Sequence, residues 1–120
     1  MDSGGNVVAG GKTYDTGIVS GGSAITSTAI IVYLTSDGSY KWTKYYLSFD
    51  KIYAIKFNQA ATKVVAAFSF PYTTTTDVSM FAVLDAATGS VSIAYSELSS
   101  CVVQMNSIYI DASDNILIGK

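Results

Sequence analysis

The chain reads as an all-β protein built from a four-stranded antiparallel unit used about two and a quarter times. Three observations predict this. The two ends match: Asp2-Ser-Gly-Gly-Asn-Val-Val-Ala-Gly10 returns as Asp111-Ala-Ser-Asp-Asn-Ile-Leu-Ile-Gly119, with a weaker copy, Gln59-Ala-Ala-Thr-Lys-Val-Val-Ala-Ala-Phe68, between them. Short apolar runs rich in β-branched and aromatic residues alternate with Gly, Asp, Asn, Ser and Thr clusters. No stretch of useful length carries the i, i+3, i+4, i+7 pattern of an amphipathic helix.

Each copy of the end motif predicts a polar turn, an Asn taking the left-handed conformation, three apolar β-formers and a closing Gly. The first strand is therefore expected over Asn6 to Ala9, stopped by Gly10-Gly11, with a Gly-, Ser- and Thr-rich loop following as far as Thr28. Ala29 to Leu34 is a continuous apolar run, as in a strand buried on both faces. Thr35-Ser-Asp-Gly-Ser39 is a hairpin turn with Asp-Gly at its centre. The return strand, Tyr40 to Tyr46, alternates Tyr40, Trp42 and Tyr45 with Lys41, Thr43 and Lys44, which predicts one packed face and one wet face.

Ile52 to Phe57 and Lys63 to Phe70 follow as strands, the second stopped by Pro71, which has no amide hydrogen to give a ladder. After the polar loop Tyr72 to Asp77 the cycle restarts: Ser79 to Leu84 answers Ala29 to Leu34, Asp85 to Gly89 answers the Asp37-Gly38 turn, Ser90 to Glu97 answers the Trp42 strand, and Met105 to Ile110 answers Ile52 to Phe57. The spacing is 51 positions from Gly38 to Gly89, 52 from Gln59 to Asp111 and 57 from Asp2 to Gln59. A repeat of that length with four short strands has the size of a β-propeller blade, which buries its faces against its neighbours. The domain reading is one repeat region, 1–120: a partial blade over 1–47, a full blade over 52–98 and the start of a third over 104–120.

The turn-strand unit at Asp2, the loop, the apolar strand, the Ser36-Asp37-Gly38-Ser39 turn and the Trp-bearing strand together resemble the β-propeller repeats called SBBP repeats, and more distantly NHL-type blades. The resemblance spans essentially the whole chain. It implies that Ile52 to Phe57 is the innermost strand of its blade, Lys63 to Phe70 the second, Ser79 to Leu84 the third and Ser90 to Glu97 the outermost. Propellers close with about four to eight blades, so this chain is incomplete alone. A fragment of a longer polypeptide, a protomer completing a ring with sister chains and an element of an open fibre are the three accounts; the repeated second strand favours the fragment.

Hydrophobic residues make up 49% of the 120, enough for a core, and charged residues only 13% with a net charge of −2, which leaves no basic face for nucleic acid or anionic lipid. The sequence has no His and no Arg, and Glu97 is its single Glu. Imidazole bases, imidazole metal ligands and the guanidinium clamp are thereby missing, which argues against an enzyme. Cys101, the single cysteine, sits in an apolar run where an inert thiol is expected, and no apolar run approaches the ~20 residues of a spanning helix. The start does not read as a cleavable signal peptide. Low charge with abundant Ser, Thr and Gly suggests an extracellular or cell-surface setting.

Candidate chemistry is thin. Gly10-Gly11-Lys12-Thr13 resembles the tail of a phosphate-binding loop, but Asn6 stands where the first Gly is needed and no helix follows. Asp111, Asp114 and Asn115, with Asp2 and Asn6, offer oxygens for calcium, against which stands the habit of such residues of bonding their own backbone. Tyr40, Trp42, Tyr45 and Tyr46 suit a sugar-stacking platform, but large rings at period two in a four-strand blade normally pack one blade on the next. Asp50 and Asp77 would be a carboxylate pair for acid-base work only if the fold joined them. Thr73 to Thr76 and the loop from Thr16 to Thr28 could carry O-linked sugar or simply be solvated. No catalytic residue, metal or cofactor is expected. The leading function is a non-enzymatic structural or interaction module (scaffold, surface-layer, adhesive or filament component) whose partners are further blades of the same or sister chains. The alternatives are a lectin-like propeller that binds glycans and a fragment of a propeller enzyme whose active site lies elsewhere.

Overall fold

The computed structural model describes residues 1–13, 28–47, 52–71, 77–99 and 107–119. These form β1 (Val7–Thr13), β2 (Thr28–Leu34), β3 (Tyr40–Leu47), β4 (Ile52–Phe57), β5 (Lys63–Pro71), β6 (Asp77–Asp85), β7 (Val91–Ser99), β8 (Ser107–Ile110) and β9 (Ile116–Gly119). Neighbours pair antiparallel in chain order as three separate meanders: β1-β2-β3, β4-β5-β6-β7 and β8-β9. The protein is all-β, with no helix and no sheet closed on itself among the described residues.

The registers make the repeat explicit. Val7 pairs with Leu34 and Val64 with Leu84; Val64 pairs with Phe57 and Ile116 with Ile110. Val7, Val64 and Ile116 are therefore equivalent, as are their successors Val8, Val65 and Leu117. Successive side chains on a strand point to opposite faces, so each sheet has a back (Val7, Val64, Ile116) and a front (Val8, Val65, Leu117). The front of the first sheet, through Val8, Ala29, Ile31, Tyr33 and Trp42, forms one cluster with Val64, Ala66, Phe68, Ala82 and Leu84 on the back of the second. The front of the second, through Val65 and Val83, meets Ile110, with Ile108 and Ile116 alongside. The second sheet is the filling between the other two, and Val64 to Phe68 is consequently buried at every position.

Among the described residues the first sheet is covered on its front alone, which corrects the expectation for the run from Ala29. Ala29, Ile31 and Tyr33 are buried, whereas Ile30, Val32 and Leu34 are only half-buried. β1 also does not stop at Gly10. It runs on to Thr13, paired with Ile31, Ile30, Ala29 and Thr28, because the strand needs Gly10 for room rather than for an ending. A Cβ at that position would meet Cγ2 of Ile52 on the next sheet at 2.5 Å. β6 starts earlier than expected, with Asp77 paired to Pro71; a proline at the end of a strand leaves the remaining ladder intact.

The turns before β1, β5 and β9 share one geometry. The backbone N–H three positions into each donates to its first carbonyl, Gly5 to Asp2, Ala61 to Asn58 and Asp114 to Asp111. Those same residues have positive φ: 86° at Gly5, 56° at Ala61 and 63° at Asp114. The left-handed position is thus the residue before Asn6 and Asn115, not the Asn. The middle copy begins at Asn58, not Gln59, and carries one extra residue before its strand.

Candidate functional site

The side chain that opens each turn organises it. Asp2 Oδ1 accepts the N–H groups of Gly4 (2.9 Å) and Asn6 (2.8 Å), and Asn6 Nδ2 donates to Oδ2 at 2.8 Å. Asp111 repeats this with Ser113 (2.8 Å), Asn115 N (2.9 Å) and Asn115 Nδ2 (2.8 Å). The side-chain amide of Asn6 or Asn115 holds each carboxyl below the usual carboxylate range, because a donor favours the charged form. In the middle copy Asn58 Oδ1 accepts Thr62 N and Lys63 N, both at 2.9 Å, and its Nδ2 donates to Thr62 Oγ1 (3.0 Å) and to Asp114 Oδ1 (3.1 Å) on the third sheet. Asn58 is the one buried polar side chain among the described residues, and these bonds account for it.

These are turn-stabilising oxygens already satisfied by the chain. Among the described residues no group of three or more His, Cys, Asp or Glu side chains is arranged to hold a metal ion. Gly10-Gly11-Lys12-Thr13 lies in an extended strand, a geometry that does not wrap a phosphate. Trp42 does not belong to an exposed aromatic platform. Trp42 is buried, its Nε1 donates to Ala86 O at 2.9 Å, and its ring stands 5.5 Å from Tyr33, which makes an edge contact with Phe57 at 5.5 Å. Tyr40 and Tyr45 are exposed. Asp50, Cys101, Thr73 to Thr76 and 14–27, together with the side chains of Thr13, Thr28, Tyr46 and Asp77, lie outside what is described.

One concave feature stands out. A cleft of about 490 Å³ opens where the start of β1 approaches the ends of β4 and β8, bounded by Asp2, Val8, Ile55, Phe57, Lys56 and Tyr109. Lys56 Nζ lies 5.9 Å from the Tyr109 ring centroid, a cation over an aromatic face. Of these residues sequence reading singled out only Asp2, and that for calcium. A lone Lys interrupting the apolar Ile52 to Phe57 run was the available signal for the others. The cleft holds a cation, a carboxylate and apolar walls, which suits a peptide or strand better than bond-breaking chemistry. Compared with protein-family models, curated proteins and solved structures, the chain matches none.

Proposed function

We propose that the chain is a non-enzymatic structural or interaction module whose three sheets are propeller-type blades, the kind that SBBP and NHL repeats form, and whose partners are further units of the same design. The observation that carries this reading is the burial of the middle sheet on both faces by the sheets before and after it. A unit that needs a neighbour on each side is a unit made to be arrayed. The stacking side chains are aliphatic or aromatic, and the carboxylates of Asp2, Asp37 and Asp111 are engaged with their own turns. Weak charge and abundant Ser, Thr and Gly support a cell-surface or extracellular setting.

The test is to insert a second copy of residues 58–110 in tandem after Ile110 and compare denaturant unfolding with the parent. An arrayed module gains both midpoint and slope, because an added unit brings its own stability plus a new interface. Two separate transitions, one at the parental midpoint, would sink the reading. The glycan-binding alternative is checked by titrating oligosaccharides against Trp42 fluorescence. A buried indole donating to Ala86 O gives no shift.

A further inference from the structure

Resting on that reading, one edge of the array has a specific vacancy. In the second sheet the inner strand β4 pairs with β5, and in the third the inner strand β8 pairs with β9. The equivalent of β5 and β9 in the first sheet, β1, has β2 on one side and no described strand on the other. Val7, at the start of this edge, is 37% exposed.

We propose that the free edge of β1 takes up the inner strand of a further repeat unit, antiparallel and in the register that β4 keeps with β5. Edge strands offer unpaired main-chain groups as a template, and alternate side chains of the added strand set its specificity. The incoming residue equivalent to Phe57 lies opposite Val7, that of Lys56 opposite Val8 and that of Ile55 opposite Ala9, since Phe57, Lys56 and Ile55 pair with Val64, Val65 and Ala66. The cleft supplies the room. It is walled by Val8 of β1 on one side and by Ile55 and Phe57 of β4 on the other. β4 lies close to both β1 and β8, so a strand added to β1 would run beside β4 along that cleft. The occupant is a further unit and not a second copy of this chain, whose own inner strands are already engaged with β5 and β9.

The probe is a synthetic peptide of residues 51–58, Lys51-Ile-Tyr-Ala-Ile-Lys-Phe-Asn58, added to the full 120-residue chain and followed by amide hydrogen exchange. At saturation, exchange of the outward-facing amides among residues 7–11 slows by about tenfold or more, while β9 is unchanged. The same peptide with Ile55→Pro, which cannot complete the ladder, gives no slowing. Unchanged exchange over residues 7–11, or equal slowing by the proline peptide, overturns the proposal. So does slowing at residues 7–11 that rises with protein concentration without peptide, which would assign the edge to a second copy. None of these outcomes touches the tandem-copy unfolding result, so the two readings fail separately.

Discussion

At the scale of single residues, three equivalent positions have been solved three ways. The left-handed site of the turn is Gly5, Ala61 or Asp114, and only the first is free of a Cβ penalty. An L-residue there costs about 1–2 kcal/mol unless local hydrogen bonds offset it. Ala61 has no side-chain group to do so. Ala61→Gly is therefore expected to stabilise the chain by about 0.5–1 kcal/mol despite the entropy glycine brings to the unfolded state, read as a raised denaturation midpoint with unchanged slope. In the other turn class, the Thr35 hydroxyl and the Ser39 N–H hold the Asp37 carboxyl down to about 2. A lowered carboxyl contributes stability above its unfolded value and loses it as pH falls through the folded one. The Ser39 amide shift in an NMR titration is thus expected to move with a midpoint near pH 2; a midpoint near the ordinary carboxylate value of about 4 would refute the bond. Asp37 is fully solvent-exposed, so the effect on global stability is small.

At the scale of elements, the strands were largely legible in the sequence and their ends were not. β9, the hairpin turns at Gly38 and Gly89, and the order of strands follow from turn residues and β-branched runs, which act locally. The failures share one cause, a neighbouring sheet. Gly10-Gly11 reads as a stop by local rules, yet Gly10 sits inside β1 because Ile52 presses against it. Gly10→Ala is expected to cost about 1–3 kcal/mol by overpacking, and Ile52→Ala in the same chain to recover part of it; additive losses in the double-mutant cycle would disprove the contact. By sequence Gln59 reads as the turn's first residue, because the strand after it aligns at that offset. The extra residue before β5 hides Asn58, which holds its own turn through Thr62 and Lys63 and also reaches Asp114, 56 positions away. Tyr40, Trp42 and Tyr45 look alike in sequence, and only the second sheet decides that Trp42 alone is covered. The cleft was invisible for the same reason: it is made by three sheets at once.

At the scale of the whole molecule, exposure depends on place in the stack more than on residue type. Val8, Val65 and Leu117 occupy one repeat position and are 8%, 1% and 69% exposed. Among the described residues nothing lies in front of the third. Val65→Ser is accordingly expected to destabilise by about 2–4 kcal/mol, removing an apolar side chain and burying a hydroxyl, and Leu117→Ser to stay within about 0.5 kcal/mol. Equal losses in urea unfolding would mean that the third sheet's front is covered after all. The two hairpin glycines agree: Gly89 lies tight against Trp42 and Lys44 of the preceding sheet, and Gly38, its counterpart, has open space around it.

Both joints between the three sheets set a front against a back. Such a contact has no two-fold axis, so repetition gives the array a direction and cannot end in a symmetric pair. The rotation from one sheet to the next alone decides whether continued addition comes round to meet its own beginning or advances without limit.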